Sequence, residues 1–355
     1  MRVLIIGYGK IGKIKAFLWK KLGFRVYVFD INNNAGTRAL KDGFKLFDGL
    51  IDRDTIIDIS SSSGQHFSSL KWLIDYPLTD LPKLILIEKP LFSSDEENKL
   101  YEKLIKTNKQ KNLMDRIYLN DSYYESEGLK LLVNSIDSRV KKIKIDLSKN
   151  RLHDIENGRF SDEELMSIGI EVPHILAVLQ ILNINLKKIV DIESRIFKDS
   201  EKEQNQGTVI KLKTEETLIE ISSFLGNFKI SDDTIAFANT DVRKVIIETI
   251  NKDFLLEFDP IKGLPRYHSR LSTYDKQNKV NKVFTVQDNH LVSHMKKLIV
   301  GEQNKKLIGY DNAEFLARLL IDIKNRSHTL KINFKNLARN NTLSVLDENE
   351  GMKNA

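Results

Sequence analysis

Short apolar runs, evenly spaced and separated by amphipathic stretches, dominate the first third of the chain. Residues 3–6 form a continuous apolar run of the kind that fills a buried parallel strand, and residues 13–22 carry helical spacing through Ile14, Phe17, Leu18 and Leu22. Gly23 stands where a helix end favours a left-handed residue. Residues 25–30 then read as a second strand, which closes a strand, helix, strand unit. Further runs at 55–59 and 84–87 alternate with helical stretches, one of which opens after Ser93 or Ser94 with the capping pattern Ser94-x-x-Glu97. Alternation of this kind predicts an α/β domain over residues 1–119, a doubly wound parallel sheet with helices on both faces.

Beyond residue 119 the rhythm changes to period two. Ile143, Ile145 and Leu147 alternate with Lys142, Lys144 and Asp146; residues 190–196 place Asp191, Glu193 and Arg195 outward; Ile210 and Leu212 alternate with Lys211 and Lys213. More strands are expected at 218–224, 234–238, 245–250 and 254–258. Half-polar strands joined by short turns predict an α+β domain over residues 120–339, built on a large, open, mainly antiparallel sheet. Helices at 161–182, opening with Ser161-x-x-Glu164, and at 311–325 would cover one face. Residues 340–355 are polar and are expected to be a frayed tail.

Composition narrows the function classes. A chain of 355 residues with 41% hydrophobic content is long enough for two domains and too apolar to be mainly disordered. The 56 basic residues exceed the 49 acidic ones, for a net charge of +7. Most of the bases are Lys interleaved with acids, which is a solvated surface and not a basic stripe, so no nucleic-acid partner is expected. With no Cys, disulfides, thiol nucleophiles and Cys-ligated metal sites are excluded, and the scattered His show no paired ligand spacing, so no metal is expected. The opening apolar run breaks at Gly7-Tyr8-Gly9, too short for a secretory core. The longest uncharged stretch, 172–186, falls short of the roughly 20 residues that span a bilayer. A soluble, cytoplasmic protein without a membrane partner is expected.

Candidate chemistry gathers at strand ends. Gly7-Tyr8-Gly9-Lys10-Ile11-Gly12 directly follows a strand and opens a helix, and Asp30 ends the next strand, which together form a dinucleotide-binding pattern. Gly7 allows the tight turn, Gly9 lets amides approach a pyrophosphate, and Gly12 allows close helix packing. The phosphates then meet free amides at a helix start. Asp30 suits the adenosine ribose hydroxyls and repels a 2′-phosphate, so NAD is favoured over NADP. Ser60, Ser61, Ser62 and His66 follow the strand at 55–59, where such sheets bind ligands, and either line the cofactor or form an ordinary polar loop. Glu88-Lys89-Pro90 ends the strand at 84–87; a partly desolvated Lys suits proton transfer, and a structural ion pair is the other reading.

With these residues in this order, the chain resembles the glucose-fructose oxidoreductase and inositol 2-dehydrogenase (Gfo/Idh/MocA) family. The resemblance rests on Gly7 to Gly12, Asp30, the Ser60 to His66 segment and Glu88-Lys89-Pro90-Leu91, and in the second half it is one of pattern only. It implies an N-terminal Rossmann domain, Glu88 and Lys89 beside the cofactor, and Lys89 as the catalytic lysine at the substrate hydroxyl. It also implies an Asp-x-x-x-His pair on a helix of the second domain. Here the segment is Ile168-Gly-Ile-Glu171-Val-Pro-His174, with Ile170 where the family carries Asp. Glu171 shares a helix face with His174 and can occupy similar space, and His174 suits acid/base work at neutral pH. Tyr123, Tyr124 and Glu125 correspond to the segment that lines the substrate cleft in the family, though interdomain packing would also explain them.

The activity implied is an NAD(P)-dependent hydride transfer on a secondary alcohol or ketone of a sugar, cyclitol or amino-sugar derivative. Lys89 and His174, with Glu171, are the catalytic candidates; Tyr123, Tyr124, Glu125, Glu171 and His174 would bind substrate. The alternative is a cofactor-binding regulator or sensor of the same fold. Relatives of this kind pair through the open sheet, so a homodimer or homotetramer joined through strands between residues 190 and 258 is expected.

Overall fold

The structure, a computed structural model, describes residues 1–78, 80–107, 111–156, 164–226, 228–231, 234–237, 242–301, 308–333 and 345–347. Internal contacts divide the chain into two units, Met1–Ser122 with Val292–Ile321, and Tyr123–Leu291 with Asp322–Ala355. The second half of the chain is therefore not one continuous block, since residues 292–321 return to the first unit.

The first unit is built on a 6-stranded sheet in the order β3-β2-β1-β4-β5-β6. Its strands are β1 (Arg2–Ile6), β2 (Arg25–Phe29), β3 (Lys45–Leu46), β4 (Thr55–Ile59), β5 (Leu84–Glu88) and β6 (Ile117–Asn120), and every neighbouring pair is parallel. Every residue of β1 and β4 is buried, as a strand covered on both faces requires. The register pairs Ile6 with Ile59 and Ile59 with Ile87, so the carboxyl ends of β1, β4 and β5 lie level. Strand order reverses between β1 and β4, which is where sheets of this kind open a ligand crevice.

Helix α1 (Lys10–Lys21) follows β1 but lies rotated from the face that the apolar spacing indicates. Its buried residues are Gly12, Lys15, Ala16 and Trp19, while Ile14 is 42% and Phe17 43% exposed. Gly23 adopts the expected left-handed conformation, at φ 88°. Helix α2 (Asn33–Lys41) links β2 and β3, helix α3 (His66–Asp75) links β4 and β5, and helix α4 (Asp95–Thr107) follows β5. At the start of α4 the Glu97 amide donates to Ser94 Oγ at 3.2 Å, while the Glu97 carboxylate accepts from the Ser93 amide at 2.7 Å. The capping box forms, with its return bond one residue earlier than the simple pattern.

The second unit carries a 10-stranded sheet, ordered β16-β15-β14-β13-β7-β10-β9-β8-β17-β18. These strands are β7 (Val140–Ser148), β8 (Ile189–Asp199), β9 (Gln206–Thr214), β10 (Leu218–Phe224), β13 (Val242–Thr249), β14 (Asp253–Phe258), β15 (His268–Tyr274), β16 (Val280–Gln287), β17 (Ser327–Ile332) and β18 (Val345–Asp347). Two contacts, β7 with β10 and β8 with β17, are parallel and the others antiparallel. A separate hairpin pairs β11 (Phe228–Ser231) with β12 (Thr234–Phe237), and Ala238, expected in that strand, lies outside the described residues. The alternation is as expected: Ile143, Ile145, Ile210 and Leu212 are buried, and Asp191, Glu193 and Arg195 are exposed. The fold class read from the sequence is the one observed.

Helices α6 (Glu127–Ser135), α7 (Leu152–Glu156) and α8 (Ile168–Ile181) belong to this unit, whose first stretch ends at the first two residues of α9 (His290–Val300). Helix α8 starts later than expected, because residues 164–167 form a turn in which Met166 takes φ 53°, a left-handed value that a helix cannot contain. Ser161, the expected cap, lies outside the described residues. Helix α10 (Tyr310–Asn325) has the expected bounds within one residue, but its residues 310–321 are grouped with the first unit. Of residues 340–355 the structure describes β18, which pairs with β17. Among the described residues no helix is long and apolar enough to cross a membrane.

Candidate functional site

One cluster of candidate residues lies at the carboxyl edge of the parallel sheet. Gly7 has φ 93°, and a Cβ there would stand 2.6 Å from the Ser61 amide nitrogen. A Cβ on Gly12 would stand 1.9 Å from the Gly7 carbonyl oxygen, so the helix can meet the loop only because Gly12 has none. Gly9 faces open space instead, with nothing within 4 Å of such a Cβ. Gly9 is also the residue before α1, and no side chain caps the helix there. A tight turn, an open approach and an uncapped helix start suit a pyrophosphate, with exposed Lys10 in the first turn adding positive charge. Ile11 in the same turn is exposed.

Asp30 sits directly after β2 and is anchored by two amides: Tyr8 N–H donates to Oδ2 at 2.6 Å and Asn32 N–H to Oδ1 at 2.8 Å. The carboxylate is thereby fixed against the glycine loop. The Tyr8 ring is buried, and its hydroxyl donates to Asp42 Oδ2 at 2.9 Å. Burial and that carboxylate push the phenol well above its ordinary pKa, while the bonds from Lys13 and Tyr8 hold Asp42 below the usual carboxylate range. Tyr8 thus serves the loop through its amide and its packing.

The ends of β4 and β5 are tied by a group the sequence reading missed. Lys15 of α1 is 2% exposed, and its ammonium donates to Asp58 Oδ1 at 2.6 Å and Ser60 Oγ at 3.0 Å. It also meets Glu88 Oε1 at 2.6 Å. The Trp19 indole N–H donates to the other Asp58 oxygen at 2.9 Å. Burial works against the Lys15 charge, but the two carboxylates more than offset it and raise its pKa. Glu88 is therefore occupied by Lys15, and Ser60 belongs to the same buried network. Ser61 Oγ bonds Ser69 Oγ at 3.2 Å, and Ser62 precedes a short 3₁₀ turn at Ser63–Gln65.

His66 is fully buried, with Nδ1 2.8 Å from the Pro90 carbonyl oxygen and Nε2 3.1 Å from that of Ser61. Desolvation lowers its pKa, against the pull of both carbonyls and the Glu88 charge. A neutral imidazole donates through one nitrogen only. The side chain fastens the loop after β4 to the residue following Lys89, so both ring nitrogens face backbone. Lys89 itself is half-buried, one residue past the end of β5.

In the second unit Glu171 is buried on α8 and ion-paired with buried Arg151. His174, half-buried one turn later, has its ring centroid 5.1 Å from that of Tyr123. Tyr123 stacks on His290 at 4.8 Å and 24° and meets Phe258 edge-on at 5.3 Å. Tyr124 donates its hydroxyl to Gln180 Oε1 at 2.6 Å, and Glu125 pairs with Lys130 at 3.2 Å. Of this segment, then, Tyr123 is the residue set beside His174. Buried Asp288 holds the segment's far end: it accepts from Ser126 Oγ at 2.6 Å, Ser269 Oγ at 2.7 Å, and the Glu127 and Gly128 amides at 3.0 and 3.2 Å. A carboxylate on the first amides of α6 is favourable on both hydrogen-bond and dipole grounds.

No family model matches the sequence, and no curated protein matches it. Solved structures do match across the chain. UDP-N-acetylglucosamine 3-dehydrogenase GnnA from Acidithiobacillus ferrooxidans is 14% identical, aligned over 92% of this chain and 97% of its own, with a TM-score of 0.66. The chain shares the fold of that structure. Within that fold, KijD10, a 3-ketoreductase from Actinomadura kijaniata crystallised with TDP-benzene and NADP, is 9% identical over 93% of this chain and 99% of its own, with a TM-score of 0.65. The transcriptional regulator Gal80p from Kluyveromyces lactis is 14% identical over 97% and 93%, at a TM-score of 0.64. An oxidoreductase-type fold is thus carried by catalysts and by a regulator alike.

Lys15, Asp58, Arg151 and Asp288 were not singled out in the sequence. Each is an isolated charge with no motif spacing around it. For Lys15 one signal was present: Gly12, Ala16 and Trp19 share a helix face, and that face passes through Lys15.

Proposed function

We propose that the protein is an NAD(P)-dependent oxidoreductase that interconverts a secondary alcohol and a ketone on a sugar, cyclitol or amino-sugar derivative, with NAD as the preferred cofactor. The observation that carries this reading is the level carboxyl edge of the first sheet. There the glycine cradle after β1 and Lys89 after β5 flank the strand-order reversal.

When bound, the nicotinamide would supply the hydride acceptor or donor. Lys89 Nζ holds the substrate oxygen and takes or returns its proton, since hydride leaves a carbinol carbon only as that oxygen loses its proton. His174 is assigned the second proton-handling role, with Tyr123 setting its ring. Glu171 enters this reading as an anchored carboxylate beside His174 and not as a proton carrier, because Arg151 occupies it. Glu88 and His66 likewise support the cofactor loop from behind. Asp30 favours NAD, because a carboxylate fixed by two amides cannot swing away from a 2′-phosphate. Consumption of NADH by the purified protein with a panel of keto-sugars and nucleotide-linked keto-sugars tests the reading; no turnover with any of them, together with tight cofactor binding, favours the regulator.

That second reading is supported by the similarity to Gal80p. Assembly as a homodimer or homotetramer through the open sheet goes with either. Val190, Leu218 and Ile250 remain exposed on or beside its strands, and apolar surface of this kind tends to find a partner. Light scattering that gives the mass of a single chain overturns it.

A further inference from the structure

We propose that Lys15 is a positioning residue for Lys89: by gripping Glu88 from beneath, it sets the chain direction at the end of β5 and so aims the next side chain. This inference rests on the reading of Lys89 as the proton-handling lysine.

The argument starts from what a buried ammonium needs. Lys15 lies on the inward face of α1, where Gly12, Ala16 and Trp19 pack on the sheet. Removing a charge from water is costly unless it is paired and hydrogen-bonded. Lys15 meets that need with three oxygens, from Asp58, Ser60 and Glu88, which belong to the ends of two adjacent strands. A single cation facing two carboxylates forms a bridge between them. Asp58 is held additionally by Trp19 and by the Ser60 hydroxyl at 2.9 Å, so the Lys15 bridge transmits a fixed point in β4 to the last residue of β5. Successive residues of an extended chain point to opposite sides. With Glu88 directed to α1, Lys89 is denied that direction, and His66 holds Pro90 on the other flank. The charged and titratable groups around the bridge are Asp58, Glu88 and His66, whose charge interacts with both Lys15 and Glu88.

The bridge also joins the two tasks of the site. The same helix that offers its start to the cofactor carries the ammonium that orients the strand bearing Lys89.

Trp19 provides a local reporter, since its indole donates to Asp58 and Trp72 is the other tryptophan of the chain. In a Trp72→Phe background without cofactor, Lys15→Met should shift Trp19 emission relative to the parent, because the Asp58 carboxylate that accepts the indole N–H loses its other partner. Lys15→Arg, which keeps the charge, should follow the parent. With cofactor and a reactive keto-sugar, Glu88→Gln should lower kcat by about 10-fold while KM and the NADH dissociation constant move less than about 3-fold, the signature of a misaimed group. Emission in Lys15→Met that tracks the parent, or an unchanged kcat in Glu88→Gln, overturns the proposal. If Lys15→Met does not fold, Glu88→Gln decides: the kcat loss at nearly unchanged KM supports the proposal, and an unchanged kcat overturns it. If the parent turns over no substrate, the functional reading fails, and the cofactor-free emission comparison still tests the bridge.

Discussion

Two buried cations, one in each unit, hold acids that sequence motifs mark as chemical. Lys15 holds Glu88 beside the candidate lysine of the first unit, and Arg151 holds Glu171 beside the candidate histidine of the second. The difference lies in how many groups each organises. Lys15 ties two strand ends and a hydroxyl into one network, whereas Arg151 pairs with Glu171 and reaches half-buried Asp154 only at 3.7 Å. In both places the acid next to the candidate proton carrier is an anchor, so the proposed chemistry falls to Lys89 and His174 rather than to the acids.

The comparison is broken most directly at Lys15. Lys15→Met leaves two facing carboxylates without their cation and should cost about 3–5 kcal/mol of stability, the usual penalty for removing one partner of a buried ionic group. Arg151→Met should cost less, about 3 kcal/mol, and Arg151→Met with Glu171→Leu should recover most of it, because replacing both partners removes the buried charge altogether. Urea midpoints measure both, and equal losses at the two sites would erase the distinction between a hub and a pair.

Smaller effects sharpen the division of labour. Lys89→Ala should lower kcat about 100-fold while leaving NADH affinity nearly intact, and an unchanged rate would make Glu88-Lys89 a purely structural strand end. Asp30→Ala should weaken NAD binding by about 1–3 kcal/mol and improve relative use of NADP; a parent protein that prefers NADP removes the basis for that assignment.

The gentlest test is pH. The folded pKa of His66 lies below its unfolded value, so the unfolded chain binds the extra proton first as pH falls. Its contribution to stability is present above the unfolded pKa near 6.5 and is lost as pH falls from there toward the folded value. His66→Gln should flatten that stretch of the stability curve, and an unaltered slope would assign the acid sensitivity to other groups.

Legibility followed burial. The buried strands β1 and β5 read as unbroken apolar runs and were found to within one residue, with the motifs at their ends, while β10 was found from its half-polar alternation. β15 was not found, because it buries Ser269, Ser272 and Thr273 around Leu271 and shows no apolar alternation. β16 is almost wholly exposed and carries no burial signal at all. The site divided in the same way. Gly7 and Gly12 could be read because the backbone there leaves no room for a Cβ, and Lys89 because a charged pair closes an apolar strand in a motif that resembles a known family. Asp288 could not, since a carboxylate that caps α6 from a distant part of the chain leaves no local trace.

The rotation of α1 bears on how this chain could be rewritten. A designer working from binary patterning would place Leu at position 15 and polar residues at Ile14 and Phe17, and would count each change as an improvement. The first would strand Asp58 and Glu88 against hydrocarbon. The last would remove the ring that rests edge-on against Phe44 at 4.9 Å. Homologue searches and redesigns that score this helix by its apolar stripe will therefore align it about a third of a turn out of phase, and a mask that fixes Gly12, Lys15 and Trp19 together is what preserves its true facing.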